Sequence, residues 1–346
     1  MRAWVWDGDR LQLEERPEPR PGPGQAVLDV LAAGLCHSDL SLMARGRTGL
    51  AYPLPTVFGH EAAGRVIEVG PDVDPALLGC EVAVYGPRGC GECRACRSGA
   101  QQYCAHARPR GIFSIGIGHD GALADRLLAP DAADLVPLRG LAPQAAAPLT
   151  DAGLTTYSAI ELISPRLHPG ATALVIGAGG GLGHLAVQWL RARGDVDIIA
   201  LERSPTGRAL LGDLGVQTVL ADASELDAVR QLTPDGAGAS VVIDLVGNQA
   251  TLELASSFLA QDGQLAIVGL GGGLLPVGLG SVPFGTTIHT PYWGSRRQLE
   301  RVMAAGRDGV VSPTVTEYAF EDVPRAYDDL RHGRVMGRAV VRPVAQ

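Results

Sequence analysis

Lysine is absent from this chain: all 29 residues counted as lysine plus arginine are arginines. That absence removes Schiff-base chemistry and any site built on a lysine amine. Aromatic residues are scarce, at 5%, against 46% hydrophobic residues overall, the balance of a soluble α/β protein. No block of basic residues occurs and the formal net charge is −8, which argues against a nucleic-acid partner. No apolar run approaches the roughly 20 residues that span a bilayer, so no membrane partner is expected. The start, Met1–Arg10, carries Asp7 and Asp9 among apolar residues and lacks the cationic-then-apolar pattern of a signal peptide. A cytoplasmic location is the expectation.

At 346 residues the chain exceeds one ordinary core, so two domains are expected. The first 150 or so residues read as short strands broken by turns, with Pro17, Pro19, Pro21 and Pro23 forming a stiff connector. Strands are expected over 26–32 and 64–69. From about Ala171 the texture changes. Apolar strands at 171–176, 197–201, 240–246 and 264–268 alternate with helical stretches at 182–193, 206–214, 226–232 and 250–259. Such alternation predicts a parallel sheet covered by helices on both faces. A Pro/Gly-rich stretch, 269–285, interrupts it; a helix near 295–305 and a last strand near 338–342 close the chain.

The strand at 171–176 runs into Gly177-Ala-Gly-Gly-Gly-Leu-Gly183, and a helix begins at once. Glycines let the backbone turn tightly and approach a pyrophosphate, whose charge is favoured at the helix N-terminus. Gly177, Gly180, Gly181, Leu182 and Gly183 are therefore candidate dinucleotide-binding residues. Glu202, at the end of the next strand, stands where a ribose-binding carboxylate belongs and would repel a 2′-phosphate, favouring NAD over NADP. Arg203 beside it works the other way, since an arginine there pairs with such a phosphate.

Six cysteines in a reducing compartment point to metal ligands, reactive thiols or core residues rather than disulfides. Cys90, Cys93, Cys96 and Cys104 are spaced C-x2-C-x2-C-x7-C, which lets four thiolates close a tetrahedral structural zinc site. An iron–sulfur cluster is the rival, but the long last gap, followed by Ala105 rather than proline, departs from that pattern. Cys80 lies outside the spacing and reads as a small core residue.

One cysteine remains, Cys36, in the segment Gly34-Leu-Cys-His-Ser-Asp39, and Gly59-His60-Glu61 follows downstream. Taken with the four-cysteine segment, the stretch Asp151-Ala-Gly-Leu-Thr-Thr-Tyr157, the glycine loop and the closing Gly333–Val341, the chain resembles the zinc-containing alcohol dehydrogenases of the medium-chain dehydrogenase/reductase superfamily along essentially its whole length. The resemblance is nearest to the bacterial secondary-alcohol type, through Pro291-Tyr-Trp-Gly294. It implies a GroES-like β-rich catalytic domain, residues 1–152 with 288–346 returning to it, and a Rossmann cofactor domain over 153–287.

It also implies two zinc ions per chain, one structural and one catalytic, with NAD as cofactor. Cys36 and His60 would bind the catalytic zinc. The third ligand is Asp151, at the position where relatives often carry cysteine, or Glu61, which would ligate in polyol-type relatives. Three protein ligands leave a fourth position for water or substrate oxygen. The ion would lower the alcohol's pKa before hydride passes to the nicotinamide. Ser38 would take the substrate proton, Asp39 would orient His60, and Glu61 would sit behind the metal. His37 and Arg338 would contact the cofactor pyrophosphate and Thr155 the nicotinamide. Ser41 replaces a relay histidine of several relatives, so the proton relay ends in water. Tyr52, Ile117, Leu270, Tyr292 and Trp293 are candidate walls of a pocket for secondary alcohols and ketones with apolar substituents; Tyr292 and Trp293 would otherwise pack at an interface. A polyol or amino-alcohol dehydrogenase, or a non-catalytic nucleotide- and zinc-binding protein, are the competing readings. A homo-oligomer, tetramer or dimer, is expected by the same analogy.

Overall fold

A computed structural model of the chain describes residues 1–49, 52–220 and 226–343. It divides into two compact units, Met1–Leu154 with Gly294–Gln346, and Thr155–Trp293. No described helix is long and apolar enough to cross a membrane.

The second unit is a six-stranded sheet whose neighbours are all parallel. Across the sheet the strands run Gln217–Leu220, Val196–Glu202, Ala171–Ile176, Ala239–Asp244, Leu259–Ile267 and Thr287–His289. In chain order this is 3-2-1-4-5-6, so the direction of winding reverses between Ala171–Ile176 and Ala239–Asp244. Nucleotides bind at the carboxyl ends of the strands at such a reversal. Every residue of Ala171–Ile176 is buried, as a strand covered on both faces requires. Helices Gly183–Arg193, Pro205–Asp213 and Gln249–Phe258 alternate with the strands. Asn248 caps the last of these: its side chain accepts the Thr251 N–H, and Thr251 reciprocates at the Asn248 N–H.

The first unit is built on a seven-stranded sheet. Ala26–Leu35 lies between Glu61–Val69 and Arg338–Arg342, antiparallel to both, and also pairs with Arg126–Ala129. Gly34 pairs with Glu61 and Leu35 with Ala339, so three strands from distant parts of the chain meet at one end of the sheet. Cys36 leaves the sheet there, and the helix His37–Gly49 starts immediately after it. Leu28, Val30, Leu35, Phe58, Val66, Val82, Tyr318 and Phe320 form the core behind this end. Trp4 closes one side of it, its indole N–H donating to the Phe320 carbonyl at 2.8 Å.

Candidate active site

The four-cysteine segment folds back on itself within a short span, through the turn Arg94–Arg97 and the following turn Gln101–Tyr103. Sγ–Sγ separations are 3.5 Å for Cys93–Cys96, 3.7 Å for Cys93–Cys104 and 4.0 Å for Cys90–Cys96. A regular tetrahedron with zinc–sulfur bonds of about 2.3 Å has edges of about 3.8 Å. The thiols are all free, so the cluster is no disulfide pair. Backbone N–H groups already point at sulfur: Cys90 donates to Cys104 Sγ at 3.3 Å and Cys93 to Cys90 Sγ at 3.4 Å. For Cys104, partial desolvation pushes the thiol up, but N–H donors from Cys90 and His106 outweigh it and bring the pKa down to about 6. Gly89 leaves the space; a Cβ there would lie 2.5 Å from Cys96 Sγ. The donor set fits a closed zinc site.

A second donor set, Cys36, His60, Glu61 and Asp151, has one ligand atom from each residue within 4.8 Å of the others. Asp151 Oδ2 lies 3.7 Å from Cys36 Sγ and 3.4 Å from His60 Nε2. Both separations match the edges of a tetrahedron around zinc, about 3.6 and 3.4 Å for ordinary zinc–ligand bonds. Asp151 sits in a one-turn π-helical stretch, Leu149–Gly153, which interrupts the helical run from Pro143 and turns its carboxylate toward the other two residues. Behind His60, Nδ1 lies 3.1 Å from Asp39 Oδ1, and Ser38 Oγ lies 3.4 Å from His60 Nε2. Burial alone would lower the pKa of His60, but the Asp39 carboxylate, helped by Asp151, reverses this and holds it well above its ordinary value. A metal held at Nε2 would have to displace that proton, so its uptake would strengthen as pH rises.

Glu61 is differently placed. Its Oε1 is ion-paired with the fully buried Arg338, and Oε2 has no hydrogen-bond partner among the described residues. Gly34 makes room for that oxygen, since a Cβ there would overlap it. Burial pushes the Glu61 carboxyl up to about 7, with the Arg338 charge opposing and Asp151 adding to the rise.

In the other unit, Gly177 has φ +77 and its N–H reaches the Leu201 carbonyl at 2.9 Å. A Cβ on Gly183 would lie 2.1 Å from the Gly177 carbonyl oxygen, so the helix Gly183–Arg193 starts against the turn only because that position is glycine. Glu202 ends its strand with both carboxylate oxygens held, Oε2 by the Gly179 N–H and Oε1 by the Ser204 N–H, each at 2.8 Å. Arg203 beside it is exposed.

Two family models match the chain, an alcohol dehydrogenase GroES-like domain over residues 22–140 and a zinc-binding dehydrogenase domain over residues 181–307. An NAD-dependent alcohol dehydrogenase of Sulfurisphaera tokodaii is 36% identical over 99% of this chain and 100% of its own length. A second, from Sulfolobus acidocaldarius, is 34% identical over 97% of each chain. This chain belongs to the zinc-containing medium-chain dehydrogenase/reductase family. An alcohol dehydrogenase of the archaeon Aeropyrum pernix has the same fold, with a TM-score of 0.90 at 29% identity, covering 99% of this chain and 100% of that one.

The dehydrogenase is thus an oxidoreductase with a GroES-like unit and a Rossmann unit. Its remaining candidate residues are divided between the two units. His37 is exposed at the start of its helix, and Ser41 Oγ is occupied by the His37 carbonyl at 3.2 Å. Tyr52 stacks edge-on against Phe113, and its hydroxyl has no partner among the described residues. Ile117 is half-buried in the adjoining loop, where a Cβ on Gly116 would strike the Gly59 and His60 backbone. Leu270 is 70% exposed. Tyr292 is half exposed and packs edge-on against the buried Trp293. Thr155 is buried at the start of the Rossmann unit. Arg338, expected at a pyrophosphate, is buried in the GroES-like unit with Nη2 on Glu61 and on the Leu35 carbonyl. Cys80 is half-buried at the edge of the core rather than within it, with its thiol on the Ala76 carbonyl. Sequence reasoning passed over Tyr327, whose hydroxyl donates to Asp39 Oδ2 at 2.9 Å. No local spacing could have signalled it, because the two residues are 288 positions apart.

Proposed function

We propose that this dehydrogenase is an NAD-dependent alcohol dehydrogenase that interconverts secondary alcohols and ketones at a zinc ion held by Cys36, His60 and Asp151. A second zinc, held by Cys90, Cys93, Cys96 and Cys104, is structural. The observation that carries this reading is the convergence of Asp151 Oδ2 on Cys36 Sγ and His60 Nε2 at tetrahedral spacing. Catalysis is assigned to residues 1–152 with 288–346, and cofactor binding to residues 153–287.

Bound at the first site, zinc supplies Lewis acidity that brings an alcohol hydroxyl toward ionisation near neutral pH. NAD supplies the hydride acceptor. The protein does the rest. Ser38 Oγ, 3.4 Å from His60 Nε2, accepts the alcohol proton and passes its own outward to water. Asp39 holds the His60 ring in the orientation that directs Nε2 at the ion. The alcohol loses one hydride and one proton, giving ketone, NADH and a released proton. Glu202, fixed by two backbone donors, offers a rigid negative charge to ribose hydroxyls and repels a 2′-phosphate, so NAD is preferred. Arg338 engages Glu61 Oε1 and leaves only Oε2 for a metal, which weighs against the polyol-type ligand set.

The homo-oligomer belongs to the same reading. Gly263–Ser295 contains no Asp, Glu, Lys or Arg, in a chain of net charge −8. Leu274 and Leu279 stand 79% and 96% exposed within it. A second copy of this chain meets no like charge on that stretch. Leu279→Asp is expected to lower the mass measured by light scattering.

Metal analysis with turnover of 2-alkanols tests the catalytic assignment. Wild type should carry two zinc ions per chain, and Asp151→Ala should keep one and lose catalysis. Retention of both ions by that variant transfers the third-ligand role to Glu61, and brisk turnover of polyols would favour the same alternative.

A further inference from the structure

We infer that Tyr327 is a positioning residue for the metal-binding histidine: from the C-terminal helix Val323–Arg331 it fixes the Asp39 carboxylate that in turn orients His60. The inference rests on the reading of His60 as a zinc ligand.

Asp39 is fully buried, and a buried carboxylate is tolerated only when donors replace its lost water. Three groups do so. The Cys36 N–H donates to Oδ2 at 3.2 Å and the Tyr327 hydroxyl donates to the same oxygen at 2.9 Å. That leaves Oδ1, which accepts no hydrogen bond among the described residues, in ionic contact with His60 Nδ1 at 3.1 Å. The division of labour between the two oxygens sets the imidazole. With Nδ1 engaged by Oδ1, the proton of the neutral ring stays on that nitrogen and Nε2 presents its lone pair to Asp151 and Cys36. Remove the phenol and Oδ2 keeps a single backbone donor, so the carboxylate is free to turn. Turning weakens its hold on the ring.

Tyr327 itself is buried beside the core that holds Tyr318 and Phe320, and its ring would pack there without a hydroxyl. The alternative is therefore a core tyrosine with an incidental hydrogen bond. Tyr327→Phe separates the two, because it keeps the ring.

Full-length, zinc-loaded protein is exposed to a chromophoric chelator, and the release of each ion is followed. In Tyr327→Phe one of the two ions should leave faster by about 10- to 100-fold, the usual effect of losing a partner behind a metal ligand. The ion of the four-cysteine lobe should leave at its wild-type rate and serves as the internal control. In an Asp39→Asn background the same substitution should add little, since the two residues act in series. Wild-type release of both ions in Tyr327→Phe overturns the inference. So does equal acceleration of both ions together with a lowered Tm, and so does full additivity with Asp39→Asn. Wild-type protein that holds zinc only in the cysteine lobe would fell the metal reading first, and this inference with it.

Discussion

The two metal centres lie in one unit and are built in opposite ways. The lobe draws all four donors from Cys90–Cys104, a segment whose cysteines are half-buried and which is held by its own turns. The proposed catalytic centre takes its donors from Cys36, His60 and Asp151, which reach one point only because three strands and a π-helical turn place them there. Its surroundings are buried and charged, with Asp39, Glu61 and Arg338 packed around it. A local site needs spacing; a distributed one needs a finished fold.

Substitutions that strike one centre and spare the other break this comparison most directly. The largest effect expected is on turnover: Cys36→Ser should cost at least about 1000-fold in kcat, the scale of several kcal/mol of Lewis-acid assistance. Cys104→Ser should instead lower Tm and leave the turnover of protein still folded within a few-fold of wild type. Steady-state rates at 25 °C beside thermal melts check both. Equal loss of turnover in the two variants would abolish the distinction.

The next effect is steric. Gly34→Ala drives a methyl group into Glu61 Oε2, and Gly89→Ala does the same to Cys96 Sγ. Each should cost about 1–3 kcal/mol in denaturant unfolding. Removing zinc by chelation should relieve only the second, because Glu61 is gripped by Arg338 whether or not an ion is present.

The third effect is electrostatic and sits between the lobe and the sheet. Asp134 accepts the Gln101 side-chain amide at 3.3 Å, and burial, reinforced by Asp131 and opposed by Arg88 and Arg296, pushes its carboxyl up to about 7. A carboxyl whose pKa is higher in the folded than in the unfolded protein binds more protons when folded. Its contribution is therefore present at about pH 4 and is lost as pH rises through about 7. Asp134→Asn keeps an acceptor and cannot ionise, so its Tm should fall less between pH 5 and pH 8 than that of wild type. Parallel melting curves across that range would refute the assignment.

The smallest effect belongs to Tyr52. Its hydroxyl is buried without a partner among the described residues, so Tyr52→Phe should be neutral or stabilising, by up to about 1 kcal/mol. A clear loss of stability would mean that the hydroxyl is satisfied after all.

Periodic segments were legible at the level of single residues. The strands Ala171–Ile176 and Arg338–Arg342 occupy the expected positions, because short β-rich runs bounded by glycine or proline leave little choice. Helix ends moved by a residue or so, as at Gly183–Arg193, where the glycine turn absorbs Leu182. The helix His37–Gly49 was not legible: it buries only Asp39 and contains Gly46 at φ +60, so it carries no apolar stripe. The π-helical turn at Asp151 had no signature either. The cysteine spacing could be read because its information is local. The Arg338–Glu61 and Tyr327–Asp39 contacts could not, because each joins the last part of the chain to the first.

The pairing of Arg338–Arg342 with Ala26–Leu35 has a consequence for biosynthesis. During synthesis the cysteine lobe is complete soon after Cys104 emerges, and can close on an ion while most of the chain is still unmade. The other centre has no counter-charge for Glu61 and no brace for Asp39 until the final strand and the helix before it have arrived. Zinc in the lobe therefore reports only that a short segment has been made, whereas a braced metal site at His60 reports that the chain has been made and folded as far as Arg338–Arg342.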